Sequence, residues 1–98
     1  MAYQVVTKKR FTNKLVRLLT YLEQTWSKKV ADDFLKKTEH RLRLLSSNPY
    51  MGAPSKKIPA IRGILVTRHN KIYYKVSNDK VIILNMYDTR IDPRKNPY

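Results

Sequence analysis

Two stretches of this chain repeat apolar residues at helical spacing, and a later stretch repeats them at strand spacing. Phe11, Leu15, Leu18, Leu19 and Leu22 line one side of a helix, with Thr12, Asn13, Lys14 and Arg17 largely on the other. The period breaks at Gln24-Thr25-Trp26-Ser27. Ser27 is suited to cap a second helix, whose apolar stripe is Ala31, Phe34, Thr38, Leu42 and Leu45, with Leu35 beside it. Ser46-Ser47-Asn48-Pro49 ends that helix, because proline cannot continue the hydrogen-bond ladder and biases its predecessor away from helix. Trp26, at the joint, reads as a packing residue.

Tyr3–Thr7 is a short β-prone run. Tyr50–Pro59, with Gly52, Pro54 and Pro59, reads as a loop. Strands are expected at 61–68, 71–77 and 80–88, with two-residue turns at His69-Asn70 and Asn78-Asp79, whose side chains tolerate the left-handed backbone of tight hairpins. The run Val81–Tyr87 is apolar on both faces and belongs inside a sheet. The order β-α-α-β-β-β describes an α+β fold: a helical hairpin packed on one face of an antiparallel sheet, in one domain spanning residues 1–98. With those turns, Arg68 lies opposite Lys71, Lys71 lies opposite Met86, and Arg90 falls beyond the same end, so three cations are expected to converge there. Ile72, Tyr74 and Val76 face the helices, and Lys71, Tyr73 and Lys75 face outward.

Charge sharpens this picture. The chain has 98 residues, with 21 Lys and Arg against 7 Asp and Glu, a net charge of +14. Such self-repulsion points to an anionic partner: nucleic acid, an acidic protein or a membrane surface. There are no cysteines, which removes disulfides and thiolate metal sites. No apolar run approaches a spanning helix, and the opening MAYQVVTKKRF lacks the apolar core of a secretory signal. A cytoplasmic location without membrane association is the expectation.

Few chemistries fit. His40 and His69 lack metal-ligand spacing, carboxylates are few, and Gly52 and Gly63 cannot form a phosphate loop, so neither a metal nor a cofactor is expected. Metal-free RNA cleavage is compatible with the composition. It needs a base for the 2′-OH, cations for the phosphorane charge and an acid for the leaving oxygen. Arg62, Lys71, Tyr87 and Arg90 are suitable in kind, and His69 is a further base, though a lone turn histidine is more often solvated. Arg68, Tyr73, Lys75 and Lys95 are candidates for binding an anionic target, with tyrosines able to stack on bases. Tyr74 belongs to the core. The helix cations Lys14, Arg17, Lys28, Lys29, Lys36, Lys37, Arg41 and Arg43 read as solvated faces.

Taken together, TYLEQTWSKKVADDFLKKTEHRLRLLSSNPYMG, IRGILVTRHNKIYYKV and YDTRIDPRK, in that order and spacing, resemble the RelE/ParE superfamily of bacterial toxins. These are the small basic partners of type II toxin–antitoxin pairs. The resemblance implies the same β-α-α-β-β-β fold and growth inhibition. RelE-type members cut mRNA on the ribosome, and ParE-type members poison DNA gyrase. In the nuclease branch two basic residues lie two apart in the second strand, an Arg opens the third and another follows the fourth. Here Arg62 takes the first position, Ile64 the second, Lys71 the third-strand position and Arg90 the last. Tyr98 is the tail tyrosine. The missing base at Ile64, the long hairpin through Trp26-Ser27 and the Asn48-Pro49…Gly52 exit resemble the ParE side. The charge suits RNA. A non-catalytic nucleic-acid-binding module is the reading from a different class.

The resemblance also implies a cognate acidic antitoxin, binding by a helix in a groove of the hairpin or by strand addition, and a target that is either gyrase or the ribosome with its mRNA. In the plasmid-stabilisation role such pairs serve, the antitoxin would mask Arg68, Lys71 and Arg90.

Overall fold

In a computed structural model, which describes residues 2–98, the elements run β1 (Gln4–Thr7), α1 (Lys9–Thr25), α2 (Lys28–Ser47), β2 (Ala53–Pro54), β3 (Ile61–Thr67), β4 (Asn70–Ser77), β5 (Lys80–Asp88) and a 3₁₀ turn, Pro93–Lys95. The sheet order is β1-β5-β4-β3-β2. All neighbours are antiparallel except β1, which runs parallel to β5. The N-terminal strand, helical hairpin and three-stranded meander are those expected. The expected loop 50–59 adds the two-residue edge strand β2. Among the described residues no helix is long and apolar enough to cross a membrane.

Ser27 caps α2, its hydroxyl oxygen accepting the Val30 N–H at 3.2 Å. Ala31, Phe34, Thr38 and Leu45 form its buried stripe. The Thr38 hydroxyl sits inside that stripe and is satisfied by donating to the Phe34 carbonyl at 3.0 Å, the local route open to a buried helical threonine. On α1, Phe11 is buried and Leu15, Leu18, Leu19 and Leu22 pack on the core. Trp26 corrects the sequence expectation. Its backbone closes α1, donating to the Leu22 carbonyl at 2.9 Å, but its side chain is 69% exposed. The joint between the helices has only Trp26 and Ser27, too short to fold the indole back.

The core joins these stripes to Ile64, Val66, Ile72, Tyr74, Val81, Ile83 and Met86 on one sheet face. Tyr74 is fully buried, and its hydroxyl accepts the Gly52 N–H at 2.9 Å. That bond ties the loop after α2 to the centre of the sheet.

Two irregularities change the expected register. The first turn closes with Thr67 opposite Asn70, leaving Arg68-His69 as its centre, and Val66 is extra between Leu65 and Thr67. The Thr67 hydroxyl donates to Asn70 Oδ1 at 2.8 Å and accepts the His69 N–H at 3.2 Å, which favours closing one residue early. Lys71 therefore lies opposite Leu65, not Arg68. In β5, Leu84 is extra between Ile83, opposite Tyr74, and Asn85, opposite Tyr73. Lys71 consequently pairs with Tyr87, not Met86. The second turn is as expected, with Asn78 at φ 55° between Ser77 and Lys80.

Candidate functional site

The β5 bulge aims the side chains that make the site. An extra residue reverses the alternation of a strand. Val81 and Ile83 face the helices, yet beyond Leu84 it is Met86 that enters the core, while Asn85 and Tyr87 turn to the open face. Asn85, itself buried, accepts the Met86 N–H at 2.9 Å through its side-chain oxygen. Tyr87 is thereby brought beside Tyr73, with ring centroids 6.2 Å apart.

The tail closes over this pair. Tyr98 stacks on Tyr73 at 4.9 Å and meets the edge of Tyr87 at 6.0 Å. Asn96 donates its amide to the Tyr73 hydroxyl at 3.0 Å. From the loop before β3, Lys57 donates to the Pro93 and Asn96 carbonyls and Ser55 donates to the Tyr98 carbonyl. Burial holds the Tyr98 hydroxyl pKa above its ordinary value, and the neighbouring Tyr87 adds to the rise. Beneath the tail lies a cavity of about 370 Å³, lined in part by Lys56, Lys57, Lys71, Tyr73, Asn96 and Tyr98.

Lys71 stands at the centre of this face. Its stem crosses Gly63, where an added Cβ would come within 2.4 Å of Lys71 Cε, so glycine is what lets the lysine lie flat on the sheet. Its ammonium is 5.4 Å from the Tyr73 ring centre. From the rim, Lys14 of α1 places its ammonium 3.6 Å from the centre of the Tyr87 ring, at a distance suited to a cation–π contact. The Lys14 pKa is lowered, first by burial and then by repulsion from Arg17 and Arg10.

The remaining candidates are dispersed. Arg62 lies on the helix side of the sheet, opposite Tyr74. It donates to the Gly52 carbonyl at 2.7 Å and the Tyr50 carbonyl at 3.2 Å and lies over the Tyr50 ring, so it works as a clasp on the loop. Arg90 is held in a two-pronged pair with Asp88, at 3.0 and 2.7 Å, which keeps the Asp88 carboxyl at about 2, with the side-chain bonds leading and the Arg90 backbone N–H adding to them. Arg68 sits exposed in the first turn, its carbonyl accepting the Thr89 hydroxyl at 2.8 Å. Lys75 and Lys95 are exposed. Thus Arg68 and Arg90 share one end of the sheet, as expected, but the three-cation cluster does not form. Lys71 turns inward over Gly63, and Arg90 is spent on Asp88. Tyr73 does face outward, yet it is only 7% exposed, because the tail covers it.

Lys14, Ser55, Lys57 and Asn96 were not singled out for this face by the sequence. Their contacts with the tail and Tyr87 are long-range, and no local pattern announces them. Tyr98 was noted only as the tail tyrosine.

The sequence profile of the ParE toxin of the type II toxin–antitoxin system, parDE, matches residues 5–93. No curated protein sequence matches the chain. Among solved structures, the fold is similar to the chromosomal ParDE toxin–antitoxin system from P. aeruginosa, with a TM-score of 0.76, 14% identity, and 89% of this chain and 96% of that chain covered. It is also similar to a YoeB/ParE toxin from Agrobacterium tumefaciens, with a TM-score of 0.64, 13% identity, and coverage of 87% and 96%. For the isolated E. coli RelE toxin the TM-score is 0.56 at 14% identity, with coverage of 95% and 90%. At these identities the likeness is one of fold.

Proposed function

The chain belongs to the ParE toxin family of type II toxin–antitoxin systems, and on that premise we propose that it arrests bacterial growth by inhibiting DNA gyrase, in the cytoplasm, until a cognate acidic antitoxin neutralises it. One observation carries the choice of gyrase over RNA. Arg62 faces the helices, fastened to the Tyr50 and Gly52 carbonyls, on the opposite side of the sheet from Lys71 and Tyr87. A metal-free ribonuclease needs its cations and its acid or base around one phosphate. With Arg90 paired to Asp88 as well, that set is split three ways, and buried Ile64 supplies no replacement charge.

In this reading the exposed cations Arg68, Lys75 and Lys95 contact the target, and Tyr73 acts through Tyr98 and Asn96, which cover it. The antitoxin's acidic segment opposes the net charge of +14, which speeds association.

A second reading has its own observation. Lys71 and Tyr87 are cross-strand partners, with Tyr98 6.0 Å from Tyr87, so part of a nuclease site is assembled on the open face. That favours a RelE-like, ribosome-dependent mRNA endoribonuclease.

Inducible expression in bacteria, with mRNA followed by primer extension and purified gyrase followed by supercoiling, separates the two. The expected result is growth arrest, rescue by the antitoxin, loss of supercoiling and intact mRNA. Ribosome-dependent cleavage that disappears in Lys71→Ala would overturn the gyrase reading. Soluble expression without arrest would overturn both.

A further inference from the structure

We propose that the first half of α1 is a docking surface for duplex DNA, holding the phosphate backbone through Arg10, Lys14 and Arg17. These residues follow the i, i+4, i+7 spacing of one helical stripe. At 1.5 Å per residue the stripe is about 10 Å long, matching about three phosphates on one strand at 3.4 Å of axial rise each.

Apart from the contact of Lys14 with the Tyr87 ring, these charges stand where a folded chain gains little from them. Among the described residues none of the three has a carboxylate within ion-pair distance, and the first turn of α1 holds no acidic residue. Lys9 and Arg10 occupy that first turn, the positive end of the helix dipole, where cations are unfavourable. Arg10 and Arg17 both repel Lys14. On α2 the arrangement is the reverse: Lys28 and Lys29 are matched by Asp32 and Asp33 at 3.4 and 3.0 Å. The α1 stripe continues onto the open sheet face, because Lys14 reaches Tyr87. Uncompensated cations at regular spacing complement a polyanion.

Around Lys14, aromatic geometry favours a duplex over a single strand. Proteins that hold unpaired strands offer ring faces on which bases stack. Here Tyr73 and Tyr98 stack on each other, and Lys14 covers one face of Tyr87. From Arg10 to Arg17 the stripe presents charge, which holds a backbone without reading bases; the exposed ring in line with it, Tyr21, lies a turn beyond Arg17.

The inference stands apart from the gyrase reading: DNA affinity belongs to the purified chain and growth arrest to the cell, so either can fail alone. The test is fluorescence anisotropy of a labelled, short random-sequence duplex titrated with the full chain over a range of salt. The expected result is salt-dependent binding. In the Arg10→Gln/Lys14→Gln/Arg17→Gln variant, the slope of log affinity against log salt falls by about 2–3, since each lost phosphate contact removes about 0.9. Lys28→Gln/Lys29→Gln leaves the slope unchanged. Far-UV circular dichroism checks folding. If the triple variant does not fold, exposed Arg17→Gln alone is expected to lower the slope by about 0.9. An unchanged slope in the α1 variants, an equal loss in the α2 variant, or tighter binding of single-stranded RNA of the same length overturns the proposal.

Discussion

The two faces of the sheet are made from different materials and held by different means. The helix-covered face is a continuous apolar layer, Ile64, Val66, Ile72, Tyr74, Val81, Ile83 and Met86, closed by stripes from α1 and α2. The open face carries Lys71, Tyr73, Lys75 and Tyr87, and its cover is the tail, fastened by tyrosine stacking and by hydrogen bonds from Ser55, Lys57 and Asn96. One face therefore stores most of the stability of the fold, and the other displays charge and rings that contribute less to it. A single bulge at Leu84 makes the assignment for β5, sending Met86 to one face and Tyr87 to the other.

The largest effect that tests this division belongs to the covered face. Leu45 and Ile72 have no exposed surface. Leu45→Ala or Ile72→Ala is expected to lower stability by about 2–5 kcal/mol, from lost transfer energy and the cavity left behind. Lys75→Ala, exposed on the other face, is expected to change it by no more than about 0.5 kcal/mol. Urea midpoints give both values. Equal losses on the two faces would abolish the distinction.

Gly63→Ala comes next, because it strikes the open face where a backbone position and a functional side chain share space. The new methyl group would lie 2.4 Å from Lys71 Cε and 3.3 Å from Tyr73 Cε1. The lysine stem is flexible, so it moves first, and the expected net loss is about 1 kcal/mol. Adding Lys71→Ala removes the clash with the stem and is expected to recover most of that loss. A double-mutant cycle measures the coupling; no recovery would mean that the strain lies with Tyr73 or the backbone.

Tyr98→Ala sharpens the comparison further, since it strips the cover from the open face without touching the core. Its stacking contributes about 0.5–1.5 kcal/mol beyond the area it buries. A modest drop in urea midpoint is expected, with a loss of near-ultraviolet circular dichroism from the three-tyrosine cluster and unchanged far-ultraviolet signal.

The helix-covered face was far more legible in the sequence than the open one. Phe11, Leu15, Ala31, Phe34 and Leu45 announce their face by periodicity, and Ser27 announces its cap by chemistry. The element order follows from such local signals, and the family resemblance from the order and spacing of three segments along the whole chain. The two bulges have none. Val66 and Leu84 are apolar residues within apolar runs, and only the pairing of strands reveals that each is extra. The register of Lys71 and the facing of Tyr87 were therefore out of reach. The tail was hidden for a related reason: Ser55 and Tyr98 are 43 residues apart, and Tyr73 and Asn96 are 23 apart. Trp26 misled because an aromatic residue between two helices usually packs, whereas this joint is too short to let it.

The smallest expected effect concerns Asp88 and Arg90, at the end of the open face. Both side chains reach water, at 37% and 66% exposure, so their contribution to stability is slight beside that of the core. Its pH dependence nevertheless has a definite sign. The Arg90 side-chain hydrogen bonds, with help from its backbone N–H, hold the Asp88 carboxyl at about 2, below the roughly 3.9 of an unfolded aspartate. A depressed carboxyl stabilises the fold at pH values above the unfolded pKa. That contribution fades as pH falls below about 4 and is gone once the folded pKa is passed. Arg90→Ala is therefore expected to lower the urea midpoint slightly and evenly from pH 7 to about pH 5, with the gap to the unsubstituted chain closing as the solution is acidified further. A gap that stays constant in acid would mean that Arg90 acts through some group other than the Asp88 carboxylate.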